Sequence, residues 1–389
     1  MTAGSASDVA DRAHALIDLE ALRHNVRRLR AAAPASELMA VVKADAYGHG
    51  LVACARAARE AGARWLGVAL PSEALELRSA GDTGRVLCWL SVPGERFEDL
   101  ISADIDVSAY DLATLAAIAV AARSTGITAR VHLKVDTGLS RGGATLEDWP
   151  ALLAETSRLV AEGSVTLAGV WSHLAYADEP GNPVIAQQVA AFESALAATR
   201  AAGLEPEFRH LANSAATLRL PATHYDMVRP GIAVYGVSPG SELGTETELG
   251  LRPVMSLKAR LALVKDVPAG SGVSYGHTYT TSDETRLALV PLGYADGIPR
   301  AGTNVGPVFA AGRVRTIAGR VCMDQFVLDV GDAQVSSGDE VIVFGSAERG
   351  EPTASDWARA CDTIGYEIVT RIGPRVPRIV APDRGGQDG

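Results

Sequence analysis

The feature that most constrains this chain is an alternation of short apolar runs and amphipathic stretches between residues 37 and 232. The apolar runs have the length of buried strands, and the stretches between them have helical spacing. Strands separated by helices pair in parallel through right-handed crossovers. Eight such units predict a TIM-like (β/α)8 barrel, an α/β fold. Its strands are predicted to centre near Val41, Gly67, Leu87, Asp106, Leu133, Val170, His210 and Val228. One helix is predicted to begin at Ser72 as N-cap and to end before Gly81.

The pattern changes after about residue 249, where strand-like segments rich in Val, Leu and Thr are broken by Gly and Pro turns. We expect a barrel over residues 12–240 and a mostly-β domain over 249–382, joined by the polar stretch Ser238–Glu248. A single helix is predicted near Asp356–Asp362. Residues 12–18, with a candidate strand at His14–Asp18, would pair with the second domain. The segment after Pro382 is a polar tail.

Composition narrows the class of protein. The net charge is −10 and no long basic run offsets it, so a nucleic-acid partner is not expected. The stretch from Met1 to Arg12 lacks the apolar core of a signal peptide, and the run Leu112–Ala122 is too short to span a membrane. Four scattered cysteines without metal-ligand spacing fit a reducing compartment. We therefore expect a cytoplasmic protein without a metal site.

Polar residues follow five of the eight predicted barrel strands, where barrels carry their chemistry. They are Lys43, Lys134, His173, Asn213 with Ser214, and Arg229. A lysine against an apolar strand end is desolvated, which lowers its pKa and makes the amine nucleophilic. The alternative for Lys43 is a side chain that extends into solvent past the rim. The run Gly48–Ala53 also matches a dinucleotide-binding loop, but its first glycine lies too far from the strand.

The loops after the seventh and eighth strands are a common phosphate site in barrels. Ser214 opens a helix whose N–H groups could hold a dianion, and Gly231 would allow close backbone approach. Taken alone, a serine such as Ser214 is more often a plain helix cap, and its pairing with Gly231 and Ile232 is what favours the phosphate site. Tyr275, in a Gly-rich strand, and His173 could likewise be packing residues whose polar atoms are satisfied.

Taken together, these motifs resemble the alanine racemases, which depend on pyridoxal 5′-phosphate (PLP). The resemblance is strongest at Val42–Gly50 and covers nearly the whole chain. The matching segments are His132–Gly138 with Arg141, His173, Asn213–Ser214, Met227–Gly231, Gly272–Gly276, Gly293–Gly297, Gly319–Asp324 and Tyr366–Glu367.

The resemblance implies a role for each matching residue. Lys43 would carry the PLP aldehyde and act as the base for one enantiomer, and Tyr275 of the partner subunit in a homodimer would act for the other. Cofactor-binding residues would be Lys43, Tyr47, His173, Asn213, Ser214, Arg229, Gly231, Ile232 and Tyr366, with Arg229 at the pyridine nitrogen. Arg141 and the backbone of Met323 would receive the substrate carboxylate. Supporting residues would be Lys134 (as a carbamate that orients Arg141), Cys322, Asp324, and Tyr294 with Arg300 at the substrate entrance.

The implied function is racemisation of alanine, which supplies D-alanine for peptidoglycan. Its alternatives are a broader racemase that acts on serine, lysine or arginine, a non-catalytic PLP-binding protein and a fold-related decarboxylase. The chain departs from the family pattern at Gly142, where a bulky residue is usual. A glycine there is expected to loosen the loop that carries Arg141.

Overall fold

The computed structural model describes residues 12–382, which divide into two compact units. One unit is Glu20–Leu251, and the other combines residues 252–382 with residues 12–19. The expectations for the N-terminal eleven residues and for the polar tail lie outside the described residues. Of the helices within 12–382, none is both long and apolar enough to cross a membrane.

Strand β1 (Ala13–Ile17) and helix α1 (Leu19–Ala32) precede the barrel strands. The barrel strands are β2 (Glu37–Val41), β3 (Trp65–Val68), β4 (Arg85–Cys88), β5 (Asp106–Ala109), β6 (Ala129–Lys134), β7 (Val165–Trp171), β8 (Phe208–His210) and β9 (Met227–Val228). Their helices are α2 (Lys43–Gly48), α3 (Leu51–Glu60), α4 (Pro71–Ser79), α5 (Phe97–Ser102), α6 (Leu112–Thr125), α7 (Trp149–Ala161), α8 (Pro183–Ala201) and α9 (Ser214–Arg219).

The eight barrel strands form one parallel sheet in the order β8-β7-β6-β5-β4-β3-β2-β9. Two backbone hydrogen bonds join its outer strands: Asp226 N–H donates to the Arg209 carbonyl at 3.1 Å, and Arg229 N–H to the Ala212 carbonyl at 2.9 Å. The sheet therefore forms a nearly closed barrel, and the predicted TIM-like fold is confirmed. The strands of such a barrel are rich in apolar residues, because helices cover their outer faces and the barrel interior covers the other side.

Helix α4 begins differently from the prediction. Its N-cap is Leu70, and Ser72 lies inside the first turn. The Glu73 carboxylate accepts the Leu70 N–H at 2.9 Å. The start of the helix is therefore capped by the side chain of Glu73, three residues after the N-cap. The predicted end is right, since Gly81 follows the C-cap Ala80 with φ of +90°.

The second unit is mostly β. After β1 its strands are β10 (Met255–Arg260), β11 (Leu263–Val267), β12 (Gly272–Val273), β13 (Tyr279–Thr280), β14 (Thr285–Val290), β15 (Pro307–Ala310), β16 (Arg313–Thr316), β17 (Phe326–Gly331), β18 (Glu340–Phe344) and β19 (Arg378–Val380). They form sheets ordered β16-β15-β18-β10-β1-β19, β11-β14-β17 and β12-β13.

Within the six-stranded sheet, β1 pairs antiparallel with β10 and parallel with β19. Two helices, α10 (Ala354–Ala360) and α11 (Gly365–Thr370), occupy the region where one was predicted. The break falls at Cys361–Ile364, where Asp362 has φ of +54°, which no right-handed helix continues through.

Candidate active site

Lys43 lies just beyond β2, which ends at Val41, and begins a turn of unusual hand. The four residues after it, Ala44 to Tyr47, all have φ of +53° to +54°. Ala46 N–H donates to the Val42 carbonyl at 2.8 Å, and Leu51 N–H donates to the Asp45 carboxylate at 2.7 Å. A left-handed conformation costs non-glycine residues about 1–2 kcal/mol each. Such strain persists only where surrounding contacts enforce it, and it clusters at functional sites.

The turn leaves the Lys43 amine half-buried. Burial lowers the pKa of this amine, and the positive charge of Arg141 lowers it further, whereas the carboxylate of Glu73 opposes both. A larger fraction of the amine is therefore neutral than in water, which is the form that attacks carbonyl carbon.

Lys134, at the end of β6, and Arg229 both lie over the ring of Trp171. The Lys134 Nζ lies 4.7 Å from the centre of the Trp171 ring, and the Arg229 Cζ lies 4.9 Å from it. Both distances are in the range of a cation–π contact. Burial, followed by the charges of Arg141 and Arg229, lowers the pKa of Lys134 to about 8.

Arg229 is buried and directs its guanidinium at the loops after β7 and β8. It donates to the Ser172 carbonyl at 2.7 Å and the Leu211 carbonyl at 3.3 Å. Burial lowers the pKa of Arg229 to about 9. Arg229 also lies 3.5 Å from His173 Nδ1. Burial, then Arg229 and Arg141, lowers the pKa of His173 to about 3, so this imidazole is neutral.

A buried chain of polar side chains runs from Arg229 into the barrel interior. Arg229 can only donate, so His210 Nδ1 accepts at 3.1 Å. His210 Nε2 then donates to His132 Nδ1 at 2.9 Å, and His132 Nε2 donates to the Asp106 carboxylate at 3.2 Å. Burial raises the pKa of Asp106, but the bonds from His132 and Arg85 outweigh it and hold this pKa at about 2. Three of these side chains, His210, His132 and Asp106, were not among the predicted site residues.

Four predicted phosphate residues lie together. Ser214 Oγ accepts the Gly231 N–H at 2.8 Å and the Ala233 N–H at 3.3 Å. A Cβ added to Gly231 would lie 2.2 Å from the Tyr47 hydroxyl oxygen, so only glycine fits beside that hydroxyl. Ile232, which follows Gly231, begins a 3₁₀ turn, Ile232–Tyr235. The neighbouring Asn213 caps α9, because its side chain accepts the Ala216 N–H at 3.1 Å.

The loop that carries Arg141 is held by hydrogen bonds to Asp136, near the start of the loop. The Asp136 carboxylate accepts the backbone N–H groups of the next turn, from Gly138 at 2.9 Å, Leu139 at 3.0 Å and Ser140 at 3.1 Å. Gly143 has φ of +128°, and a Cβ there would lie 2.6 Å from the Asp136 nitrogen. A Cβ at Gly142 would meet a single atom within 4 Å, the Lys134 Nζ at 3.5 Å.

The second unit carries the other predicted residues. Tyr275 begins a 3₁₀ turn, Tyr275–His277, so its predicted place in a strand is wrong. Its side chain is 71% exposed, which argues against a packing role. The preceding Ser274 has φ of +62°, donates to the Arg320 carbonyl at 2.8 Å and lies 3.3 Å from the Cys322 sulfur. Tyr275 and Cys322 line one shallow pocket of about 210 Å³.

Met323 is exposed, on a loop held by the Gly293–Gly297 turn. Tyr294 N–H donates to the Cys322 carbonyl at 3.0 Å, and Ala295 N–H donates to the Met323 carbonyl at 2.9 Å. Asp324 is paired with Arg375 at 2.8 Å. The structure thus brings Tyr294, Cys322, Met323 and Asp324 together.

Two further predicted residues of the second unit lie on short helical segments. Arg300 is exposed at the start of a 3₁₀ turn, and Tyr366 is half-buried on α11. Within residues 12–382, His, Cys, Asp and Glu side chains form no group of three or more that could hold a metal ion.

The barrel thus carries Lys43, Lys134 and Arg229 at the carboxyl ends of its strands, with Arg141 on the loop after β6. Barrel enzymes carry their active sites at this end of the strands, so the fold and these side chains point to the class of barrel enzymes. Two family models match the chain: "Alanine racemase, N-terminal domain" at residues 17–239 and "Alanine racemase, C-terminal domain" at residues 254–380. The chain therefore belongs to the alanine racemase family, which is a family of isomerases.

Individual relatives support this assignment. Alanine racemase of Frankia casuarinae is 58% identical over 376 residues, which cover 97% of this chain and 98% of the relative. The solved alanine racemase of D-cycloserine-producing Streptomyces lavendulae is 59% identical with a TM-score of 0.95, over 95% of this chain and 97% of that one. For the Streptomyces coelicolor structure the identity is 55% and the TM-score 0.95, over 97% and 100% of the two chains.

Proposed function

We propose that this protein interconverts L- and D-alanine in the cytoplasm with PLP carried on Lys43, and that it supplies D-alanine for peptidoglycan. One observation carries the proposal: the turn that holds the Lys43 amine, whose pKa is lowered, also brings the Tyr47 hydroxyl against Gly231 beside Ser214. One turn thus carries the amine and, through Tyr47, part of an anion-binding group completed by Ser214 and Gly231, which fits an aldehyde that bears a phosphate. The family assignment of both parts of the chain supports the same conclusion.

The residues present fit PLP. Tyr47, Ser214, Gly231 and Ile232 would hold its phosphate, with Asn213 supporting Ser214, and the family resemblance adds Tyr366 to this set. Arg229 would meet the ring nitrogen, and since a guanidinium only donates, that nitrogen would stay unprotonated. When bound, PLP supplies a ring that stabilises negative charge at the α-carbon of an amino acid. An unprotonated ring withdraws charge less strongly, which suits an enzyme that must avoid side reactions.

Racemisation needs a proton removed from one face of the α-carbon and a proton returned to the other. We assign one face to the Lys43 amine and the other to the Tyr275 hydroxyl of a partner subunit. The exposure of Tyr275 supports this assignment, because a catalytic side chain supplied to another subunit must project from its own. The functional unit would then be a homodimer.

Arg141 and the Met323 backbone N–H would bind the substrate carboxylate, with Tyr294 and Arg300 along the entrance. The pKa of Lys134, about 8, leaves a sizeable neutral fraction near neutral pH. A neutral amine can attack carbon dioxide, which forms an N–C bond and releases the amine proton to solvent. The resulting carbamate would place a negative charge beside Arg141 and orient it.

Lys43→Ala tests the cofactor assignment. The variant should lose the visible absorbance band of lysine-bound PLP, whereas Lys265→Ala, an exposed lysine of the second unit, should keep it. Borohydride reduction followed by peptide mapping should locate the label on Lys43 in the unmodified protein. A Lys43→Ala protein with the normal band would contradict the proposal.

Mixing two inactive variants tests the shared site. Statistical hybrids of Lys43→Ala and Tyr275→Phe subunits should regain about one quarter of wild-type activity, because half of the dimers then hold one intact site. Tyr275→Phe alone should slow solvent-deuterium exchange from one enantiomer far more than from the other. Equal slowing for both, or mixtures without recovered activity, would refute the assignment of Tyr275.

A broader racemase is the second candidate, and Gly142 favours it. No side chain fills the space beside Lys134 where the family usually has a bulky residue. If that space admits larger substrates, Gly142→Leu should lower turnover of serine or lysine relative to alanine in a substrate panel. A non-catalytic PLP-binding role is disfavoured, since the C-terminal racemase domain is present.

A further inference from the structure

Glu73 makes three hydrogen bonds with backbone N–H groups from two loops of the barrel. Its Oε1 accepts the Ala44 N–H at 2.5 Å. Its Oε2 accepts the N–H groups of Ala69 at 3.0 Å and Leu70 at 2.9 Å. The first bond reaches the loop after β2, and the other two belong to the loop after β3. A single carboxylate therefore joins two neighbouring loops on the side where the barrel carries its cations.

The bond to Ala44 is the important one, because Ala44 follows Lys43 and is the first residue of the left-handed turn. Four consecutive non-glycine residues do not keep positive φ without external contacts. Asp45 anchors the later part of the turn through the Leu51 N–H. Glu73 anchors its beginning, where the direction of the Lys43 side chain is set.

Glu73 also places a negative charge near the Lys43 amine. The other charged groups near this amine are cationic. The charge of Arg141 lowers the pKa of Lys43, and Lys134 and Lys43 repel each other's positive charge. Arg229 contributes a further positive charge to that cluster. Without an opposing charge, the field of these groups would drive the proton from Lys43 still more strongly.

We propose that Glu73 is a positioning residue of the Lys43 site: it fixes the left-handed turn through Ala44 and supplies the negative charge that faces the amine. The inference rests on the proposed function, since it gives a purpose to the direction and charge state of that amine. It assigns Glu73 no contact with substrate.

The test uses Glu73→Gln, which keeps the side-chain volume and removes the charge, and Glu76→Gln as the matched control on the exposed face of α4. Hydrogen–deuterium exchange of the peptide that contains Ala44 should be faster in Glu73→Gln and unchanged in Glu76→Gln. Glu73→Asp, which keeps the charge on a shorter arm, should also exchange faster at Ala44.

The second readout is the titration of the Lys43 amine itself. In the PLP-free protein, competitive labelling with acetic anhydride across pH, quantified by mass spectrometry, gives its midpoint. The midpoint of Glu73→Gln should lie about 1 pH unit below that of Glu73→Asp, because only the first variant loses the negative charge. Loosening of the turn alone would expose the amine and shift the midpoint upward. Glu73→Asp loosens the turn but keeps the charge, so the difference between the two midpoints reports the loss of the charge.

The proposal is overturned if Glu73→Gln leaves the Ala44 exchange rate unchanged, or if its Lys43 midpoint does not lie below that of Glu73→Asp. Both measurements are independent of PLP. Failure of the cofactor assignment would appear instead in the Lys43→Ala spectrum, so the two failures can be told apart.

Discussion

Replacement of Gly231 by alanine adds a single methyl group to the proposed phosphate site, which Gly231 forms with Tyr47 and Ser214. The added Cβ would lie 2.2 Å from the Tyr47 hydroxyl oxygen and 2.9 Å from the ring carbon that bears it. Ordinary contact would require a displacement of about 1 Å. Tyr47 cannot move freely, because it is buried on the left-handed turn with its ring 4.9 Å from that of Tyr235. The φ of Gly231 is −112°, so alanine there does not meet the penalty of the left-handed region, and the close contact is the cost tested.

Overpacking of this kind costs about 1–3 kcal/mol. If that cost falls on the arrangement that binds phosphate, the affinity for PLP should fall about 5- to 150-fold. Fluorescence titration of the PLP-free protein measures this directly, and Gly373→Ala, where the added atom meets its nearest neighbour at 3.5 Å, is the control. Tyr47→Phe in the same chain removes the closest atom and should recover part of the unfolding free energy lost in Gly231→Ala. A Gly231→Ala protein with wild-type PLP affinity and an unchanged unfolding midpoint would refute the reasoning.

Two further outcomes follow from the barrel. Asp106→Asn should lower the free energy of unfolding at pH 7 by about 2 kcal/mol, because the pKa of Asp106 is about 2 when folded and 3.8 ordinarily. This contribution is complete above pH 4 and lost as the pH falls through 2, so denaturation curves of the two proteins should converge near pH 2 and differ at pH 7. Gly143→Ala should raise the KM for alanine about tenfold or more through misplacement of Arg141, whereas Gly163→Ala, also at positive φ but with open space, should not. Equal KM values for these two variants would contradict the role given to the Arg141 loop.

The barrel strands could be predicted because most are short segments rich in apolar residues that recur between amphipathic stretches; β8, Phe208–His210, contains two polar residues and was located by its place in that alternation. All eight predicted centres fall in observed strands. Local caps were harder to predict: Ser72 has the residue type of an N-cap, but the N-cap is Leu70, whose N–H is accepted by the Glu73 side chain reaching back from the first turn. Such competition depends on side-chain reach, which a residue pattern does not encode.

The site shows the same contrast. Residues at strand ends, such as Lys43 and Arg229, were identified because a barrel places strand ends at one mouth. The chain Arg229–His210–His132–Asp106 was missed, because its partners lie 19, 78 and 26 residues apart in sequence and have no shared spacing. The left-handed turn was missed for a different reason. Its residues, Ala44 to Tyr47, include no glycine that would signal positive φ.

The position of β1 in the six-stranded sheet determines the order in which that sheet can form on the ribosome. Ile17 pairs with Met255 on one side and Val380 on the other, so the first strand to emerge lies between two that emerge much later. At roughly 5–20 residues per second, the first of these partners follows after about 10–50 s. The apolar side chains of β1 stay without their sheet throughout that interval, while the whole of Glu20–Leu251 has already been made. Strand β1 therefore joins its sheet last in time relative to its own synthesis, and the six-stranded sheet can close only when the C-terminal strand β19 has been made.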